Sequence, residues 1–149
     1  MDKLGPNDIS FVHNALPDLA LDEIDVTMRF GSPETTLKVP ILVLAKTPEE
    51  ALALSSANPD ISLMTRNGSK IALYINGKPN DVDFGRMHEE RVGDGIEAAK
   101  VIRMGGIPFI SAEQLGELQL YIKQLRIAMF LTNSNDIEHL KKAPIYVTR

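Results

Sequence analysis

Val39-Pro40-Ile41-Leu42-Val43-Leu44-Ala45 runs directly into Lys46-Thr47-Pro48-Glu49-Glu50, and the join between these two stretches decides the fold class. An unbroken apolar run of this length is expected of a strand covered on both faces, as in a parallel sheet. Thr47 is placed to cap a helix, Pro48 suits the first helical position, and Glu50, three residues after the threonine, completes a capping box. A covered strand that passes at once into a helix is the unit of an α/β protein. We therefore take 39–45 as the central strand and expect the helix to run to about Ala57, where Asn58-Pro59-Asp60 stops it.

Upstream, Ile24-Asp25-Val26-Thr27-Met28-Arg29-Phe30 alternates apolar and polar residues with a period of two, the pattern of a half-buried strand. Gly31-Ser32-Pro33 then turns the chain so that a second strand can pair back. Before this, the stretch to about Leu21 reads as an arm laid over the surface. Downstream, Ile61 to Thr65 and Ile71 to Ile75 flank Arg66-Asn67-Gly68-Ser69, whose Asn-Gly favours a tight hairpin. Asn76-Gly77-Lys78-Pro79 leads to Val82-Asp83-Phe84 as a third short strand, so the middle of the chain reads as antiparallel.

From Asp94 the period becomes helical, with Ile96, Ala99, Val101 and Ile102 on one face and Gly105-Gly106 as the stop. Ile107-Pro108-Phe109-Ile110 is a short buried strand. Ser111 and Gln114 form another capping box, which opens the longest helix. Leu115, Leu118, Ile122, Leu125 and Met129 stripe this helix, and Ile127 to Leu131 is apolar all round, so its end is expected to be deeply buried. A last helical turn carries Ile137 and Leu140 and closes at Pro144.

Composition bounds the function. The chain has 149 residues, 44% of them apolar, with 16 Lys and Arg against 20 Asp and Glu. A chain of this size buries about two-thirds of its unfolded surface and needs no disulfide or metal to hold a core. It contains no cysteine, which excludes zinc-ribbon, iron–sulfur and thiol-nucleophile chemistry and fits a reducing compartment. The mildly acidic balance gives no electrostatic footprint for nucleic acid. No run of about 18 apolar residues and no leader-like N-terminus is present. The expectation is a cytoplasmic protein that engages neither nucleic acid nor membrane.

Two passages resemble a family, the FMN-dependent type 2 isopentenyl-diphosphate isomerases, whose fold is a β/α barrel. At the front, Phe11-Val12-His13-Asn14-Ala15-Leu16-Pro17-Asp18, Leu21-Asp22-Glu23-Ile24-Asp25-Val26 and Pro40-Ile41-Leu42-Val43 resemble the family's opening arm, hairpin and first barrel strand. At the back, Leu125-Arg126-Ile127-Ala128-Met129-Phe130-Leu131-Thr132 and Ile137-Glu138-His139-Leu140-Lys141-Lys142-Ala143-Pro144 resemble its closing helix pair. Arg91-Val92-Gly93-Asp94 through Met104-Gly105 is similar to the stretch after the family's phosphate-binding loop. A closed eight-fold barrel takes typically about 250 residues, more than this chain supplies. The resemblance therefore implies an α/β fold that is a partial, incomplete TIM-type β/α barrel with an antiparallel hairpin insertion. We read one domain over 1–149: an arm over 1–21, a hairpin, first strand and helix over 22–57, the insertion over 58–86, and a helical and βα part over 87–149.

The family's chemistry is largely missing from the matching positions. Where the family has Met-Thr-Gly-Gly, glycines that let the backbone approach a flavin, this chain has Lys46-Thr47-Pro48-Glu49. Where the family offers Ser-Gly-Gly-Ile-Arg to the FMN phosphate, it has Met87-His88-Glu89-Glu90-Arg91. Two carboxylates repel a phosphate, so Arg91 is left as the possible partner. His13, Asn14 and Pro17 match near the family's active-site entrance, although an arm whose histidine and asparagine satisfy backbone groups explains them as well. Gly93-Asp94-Gly95 before a helix could hold an anion, or Asp94 could simply cap the helix. His88 beside Glu89 and Glu90 lacks the spacing of a metal site. The adjacent pairs Glu49-Glu50 and Glu89-Glu90 point apart and read as solvated surface rather than as an acid–base pair.

The leading expectation is a non-catalytic, degenerate relative of these isomerases, with no cofactor, kept as an assembly or regulatory subunit. It would form a homo-oligomer or a hetero-oligomer with a full-length relative, because a partial barrel leaves an unpaired edge. The alternative is an isopentenyl-diphosphate delta-isomerase or a subunit of one, using FMN and magnesium. A third reading is a module for a phosphate-bearing small molecule. Candidate ligand-binding residues are His13, Asn14, Arg91, Gly93 and Gly95, with no catalytic or metal-ligating residue assigned.

Overall fold

A computed structural model of the chain describes residues 4–13, 19–31, 34–68, 70–80, 82–84 and 87–148. In chain order these form β1 (Ile9–Phe11), β2 (Met28–Phe30), β3 (Thr35–Leu37), β4 (Leu42–Leu44), α1 (Pro48–Ala57), β5 (Ser62–Asn67), β6 (Lys70–Ile75), β7 (Lys78–Asn80), β8 (Glu89–Arg91), α2 (Gly95–Arg103), β9 (Ile107–Ser111), α3 (Leu118–Leu131), α4 (Ile137–Leu140) and β10 (Ile145–Val147). The fold is mixed α/β, and no closed barrel is present among the described residues.

The main sheet has six strands in the order β7-β6-β5-β4-β9-β8. The apolar run at 39–45 supplies β4, which pairs in parallel with β5 on one side and with β9 on the other. It is central, and Leu42 and Val43 are fully buried. β8 adds to β9 in parallel, whereas β6 and β7 add to β5 as an antiparallel meander. Successive side chains of a strand point to opposite faces, and the sheet accordingly separates two cores. Leu42, Met64, Leu73 and Ile107 pack with the β2–β3 hairpin, Leu125 and Met129. Val43, Leu63, Tyr74 and Ile110 pack with Ala51 of α1, Val101 of α2 and Tyr121 of α3.

Local chemistry accounts for most boundaries. Thr47 caps α1, its Oγ1 accepting from the Glu50 N–H at 3.1 Å. The expected capping box closes one residue earlier than its usual form, because the Glu50 carboxylate accepts from the Lys46 N–H at 3.0 Å. Asp94 caps α2 through the Glu97 N–H at 2.8 Å. Asn76 and Gly77 have φ of 52° and 75°, the paired left-handed conformation of a two-residue hairpin turn.

Four expectations are corrected in detail. The regular strand at 24–30 is confined to Met28–Phe30, although Ile24, Val26, Met28 and Phe30 are all buried as the alternation requires. The third strand of the middle lies at Lys78–Asn80 rather than at Val82–Phe84, since the tight Asn76-Gly77 turn sends the chain straight back along β6. The Ser111 capping box opens a 3-10 segment, Ala112–Glu117, before α3 begins. The end of α3 is only half covered: Ala128 and Met129 are buried, but Ile127, Phe130 and Leu131 are not.

The N-terminal stretch is also more than a surface arm. Pro6–Asp8 makes a 3-10 turn, and β1 pairs antiparallel with β10, with Ile9 opposite Val147. Ile9 is 1% exposed. Asn14 and Pro17, singled out in the sequence, lie outside the described residues.

Candidate functional site

In parallel α/β sheets, ligands bind at the carboxyl ends of the strands. Here β4 ends at Lys46, β9 at Ser111 and β8 at Arg91-Val92-Gly93, all at one end of the sheet. The groups there are engaged with each other. The Lys46 Nζ lies 3.2 Å from the Glu113 carboxylate, on the surface, and the Lys46 N–H donates to Glu50. Ser111 Oγ contacts Gln114 Oε1 at 3.2 Å, and Gln114 Nε2 donates to Tyr121 Oη at 3.4 Å. Tyr121 in turn donates to Glu117 at 2.5 Å, and this carboxylate, with burial, holds the phenol above the ordinary tyrosine range.

The start of α2 is equally occupied. The Gly95 N–H donates to Gln124 Oε1 at 2.8 Å, and Asp94 takes the Glu97 N–H. A Cβ on Gly95 would stand 1.9 Å from the Tyr121 carbonyl oxygen. The glycine is thus required for close packing of α2 on α3. Gly93 has open space around it.

On the face that carries Met64 and Ile107, Arg66 of β5 is ion-paired with Glu89 of β8. Its guanidinium also sits 5.9 Å from the centroid of the Phe109 ring, within the range of a cation–π contact. Arg91 shares this face by register with Phe109 and is exposed. An open groove of about 990 Å³ borders it, lined in part by Ile71, Phe84, Met87 and Glu89. His13 lies elsewhere, in a groove with Ile96 and Lys100 of α2. The structure therefore sets Arg91 opposite Phe109 on the face that also carries the Arg66–Glu89 pair, but leaves His13 in a separate groove. His88 contacts Glu90 at 3.5 Å, and no group of three metal-ligating side chains occurs among the described residues.

Sequence reasoning missed Arg66, Phe109 and Gln124. Arg66 had a readable signal, since it follows Met64 by two positions and so shares its face in a period-two strand. Gln124 had none, because its partner Gly95 is 29 residues away.

No family model matches the chain. The isopentenyl-diphosphate delta-isomerase of Rickettsia bellii is 43% identical over an alignment of 63 residues in length that covers 34% of this chain and 18% of that protein. The chain is thus distantly related to an isopentenyl-diphosphate isomerase, and the match spans less than a fifth of the relative's length. No helix among the described residues is long and apolar enough to cross a membrane.

Proposed function

We propose that the chain is a non-catalytic relative of the isopentenyl-diphosphate isomerases that acts as an assembly or regulatory subunit, associating with its own copies or with a full-length relative. The observation that carries this reading is the use of the polar groups at the carboxyl end of the parallel strands. An anion such as a flavin phosphate needs free backbone N–H groups and unpaired cations. Here the Lys46 and Gly95 N–H groups and the Lys46 ammonium already serve glutamate and glutamine side chains of the same chain. These residues do not fit an FMN phosphate, and we derive no step through that cofactor.

α1 joins the parallel strands β4 and β5, α2 joins the parallel strands β8 and β9, and Arg66 meets Glu89 across the face that carries Met64 and Ile107. This arrangement supports descent from part of a β/α barrel. The sheet edges bear on how such a subunit would associate. β7 reads Lys78-Pro79-Asn80 and β8 reads Glu89-Glu90-Arg91, and charges and proline on edge strands oppose edge-to-edge pairing. Association would then use side-chain surfaces rather than strand addition.

The test is to incubate the purified protein with FMN, desalt it, record the flavin absorption, and then chromatograph it alone and mixed with a full-length isomerase. Colourless protein that self-associates or co-elutes with the isomerase supports the reading. A retained flavin signal, or a monomer that binds neither, overturns it.

The identity to the Rickettsia protein favours a second reading, in which the chain is an isopentenyl-diphosphate isomerase or a subunit of one, with FMN and magnesium. Formation of dimethylallyl diphosphate in the presence of FMN and a reductant would establish it. Exposed Arg91 keeps a third reading, a phosphate-bearing ligand on the Phe109 face, which predicts diphosphate affinity that Arg91→Ala abolishes.

A further inference from the structure

The chain carries two Asn-Gly steps, Asn67-Gly68 and Asn76-Gly77, and each lies at a two-residue hairpin turn. Such a step loses its asparagine amide readily, because glycine has no side chain to hinder attack by its own nitrogen. The fold treats the two steps differently. Gly77 is packed on α1: its N–H donates to the Oγ of fully buried Ser55 at 3.0 Å, and a Cβ on Gly77 would collide with Ser56 Oγ. Gly68, with a φ of 64°, is exposed together with Asn67, and a Cβ there would meet no described atom within 4 Å. Asn67 closes the β5–β6 ladder opposite Lys70, so only the last pair must open for residue 67 to turn, and element ends open at little cost. Other asparagines are held as Asn76 is. The Ser134 N–H that follows Asn133 donates to the Met129 carbonyl at 2.8 Å, and the Asp8 N–H that follows Asn7 donates to the Gly5 carbonyl at 2.9 Å.

We propose that Asn67 is a site of spontaneous modification, converted through a cyclic imide with Gly68 to aspartate and isoaspartate, while Ser55 protects Asn76. The Gly68 nitrogen loses its proton and attacks Asn67 Cγ. The Cγ–N bond forms as the Cγ–Nδ2 bond breaks, and the side-chain nitrogen takes up the proton and leaves as ammonia. Water then opens the ring at either carbonyl, giving aspartate or its β-linked isomer, with nothing oxidised or reduced. Both products place a new carboxylate opposite Lys70, on the rim of the groove of about 990 Å³. The β-linked product also lengthens the backbone by one atom just before the turn, and a two-residue turn fixes the register of its hairpin. The tip of β5–β6 therefore loosens as the protein ages. This inference stands independently of the function proposed above.

The experiment incubates the full chain in mildly alkaline buffer, with a parallel sample in urea. Both Asn-Gly peptides are followed by mass spectrometry, with fragmentation that separates aspartate from isoaspartate. In the folded protein Asn67 is expected to react at least about tenfold faster than Asn76, the rate equivalent of one net hydrogen bond. In urea the two rates converge. Ser55→Ala removes the acceptor of the Gly77 N–H and is expected to raise the rate at Asn76 while leaving that at Asn67 unchanged. An Asn67 amide that persists in the folded chain while the urea sample loses its own overturns the proposal. Equal rates in the folded chain, a ratio that survives in urea, or an unchanged Asn76 rate in a folded Ser55→Ala overturns it as well. If that variant does not fold, the comparison of the folded and urea-treated parent decides.

Discussion

Arg66 of β5 and Glu89 of β8 are ion-paired although two strands, β4 and β9, lie between them. The register places Arg66 about six residues further along the sheet than Glu89, roughly 20 Å at strand rise, and three strand spacings add about 14 Å sideways. On a flat sheet the two Cα atoms would stand roughly 25 Å apart, beyond the combined reach of the side chains. The pair closes because the sheet is rolled toward this face. Glu89 is 18% exposed and Arg66 42%, so solvent screens much of the attraction.

Arg66→Ala and Glu89→Ala are each expected to lower stability by about 1 kcal/mol, the arginine change slightly more because it also loses the Phe109 contact. Urea denaturation of the two variants and the double variant checks this. A coupling below about 0.3 kcal/mol would mean that the pair follows the roll of the sheet without helping to hold it.

Gly95→Ala drives a methyl group into the Tyr121 carbonyl and is expected to destabilise the protein by about 3 kcal/mol, at the upper end of overpacking costs. Gly93→Ala, with open space around it, changes stability by less than about 0.5 kcal/mol. Thermal unfolding of the pair separates packing from backbone flexibility, since equal losses would point to flexibility.

Met64→Ala empties a fully buried position facing Leu44 and is expected to cost about 3 kcal/mol. Leu120→Ala, at 53% exposure, leaves the urea midpoint almost unchanged.

Stability is expected to fall in acid through two aspartates. For Asp136, burial raises the carboxyl, but hydrogen bonds from the His139 ring at 2.6 Å and the His139 N–H at 2.9 Å outweigh it and leave the group below the ordinary range. Asp25 is held low mainly by the Thr27 N–H. A folded carboxyl lower than its unfolded counterpart contributes stability above the unfolded value, near 4, and loses it as pH falls through the folded value. Asp136→Asn keeps a good helix cap but removes the titration. Its urea midpoint is expected to fall less steeply than that of the parent below about pH 4.

The sequence was most readable where one short segment sets its own structure. The unbroken run at 39–45 identified the central strand, and Thr47, Asp94 and Gly105 marked helix ends, because a cap or stop acts within one turn. The β5–β6 hairpin was equally local. What escaped depends on residues far apart in the chain: Gln124 serving Gly95, Arg66 reaching Glu89, and β10 pairing with β1. No period or cap encodes such meetings, because they follow from how finished elements pack. The candidate residues fared similarly. Arg91 lies on a face that the period-two rule could assign, while the convergence of His13, Lys100 and Tyr146 needs three elements already in place.

The β1–β10 pairing carries a consequence for synthesis. The two strands are far apart in the chain, so Ile9–Phe11 waits for its partner while all the residues between them are synthesised. Contacts of such long sequence separation are slow to form. An apolar strand left waiting is open to association with other chains. This seam therefore closes only after every element between its two strands has been synthesised.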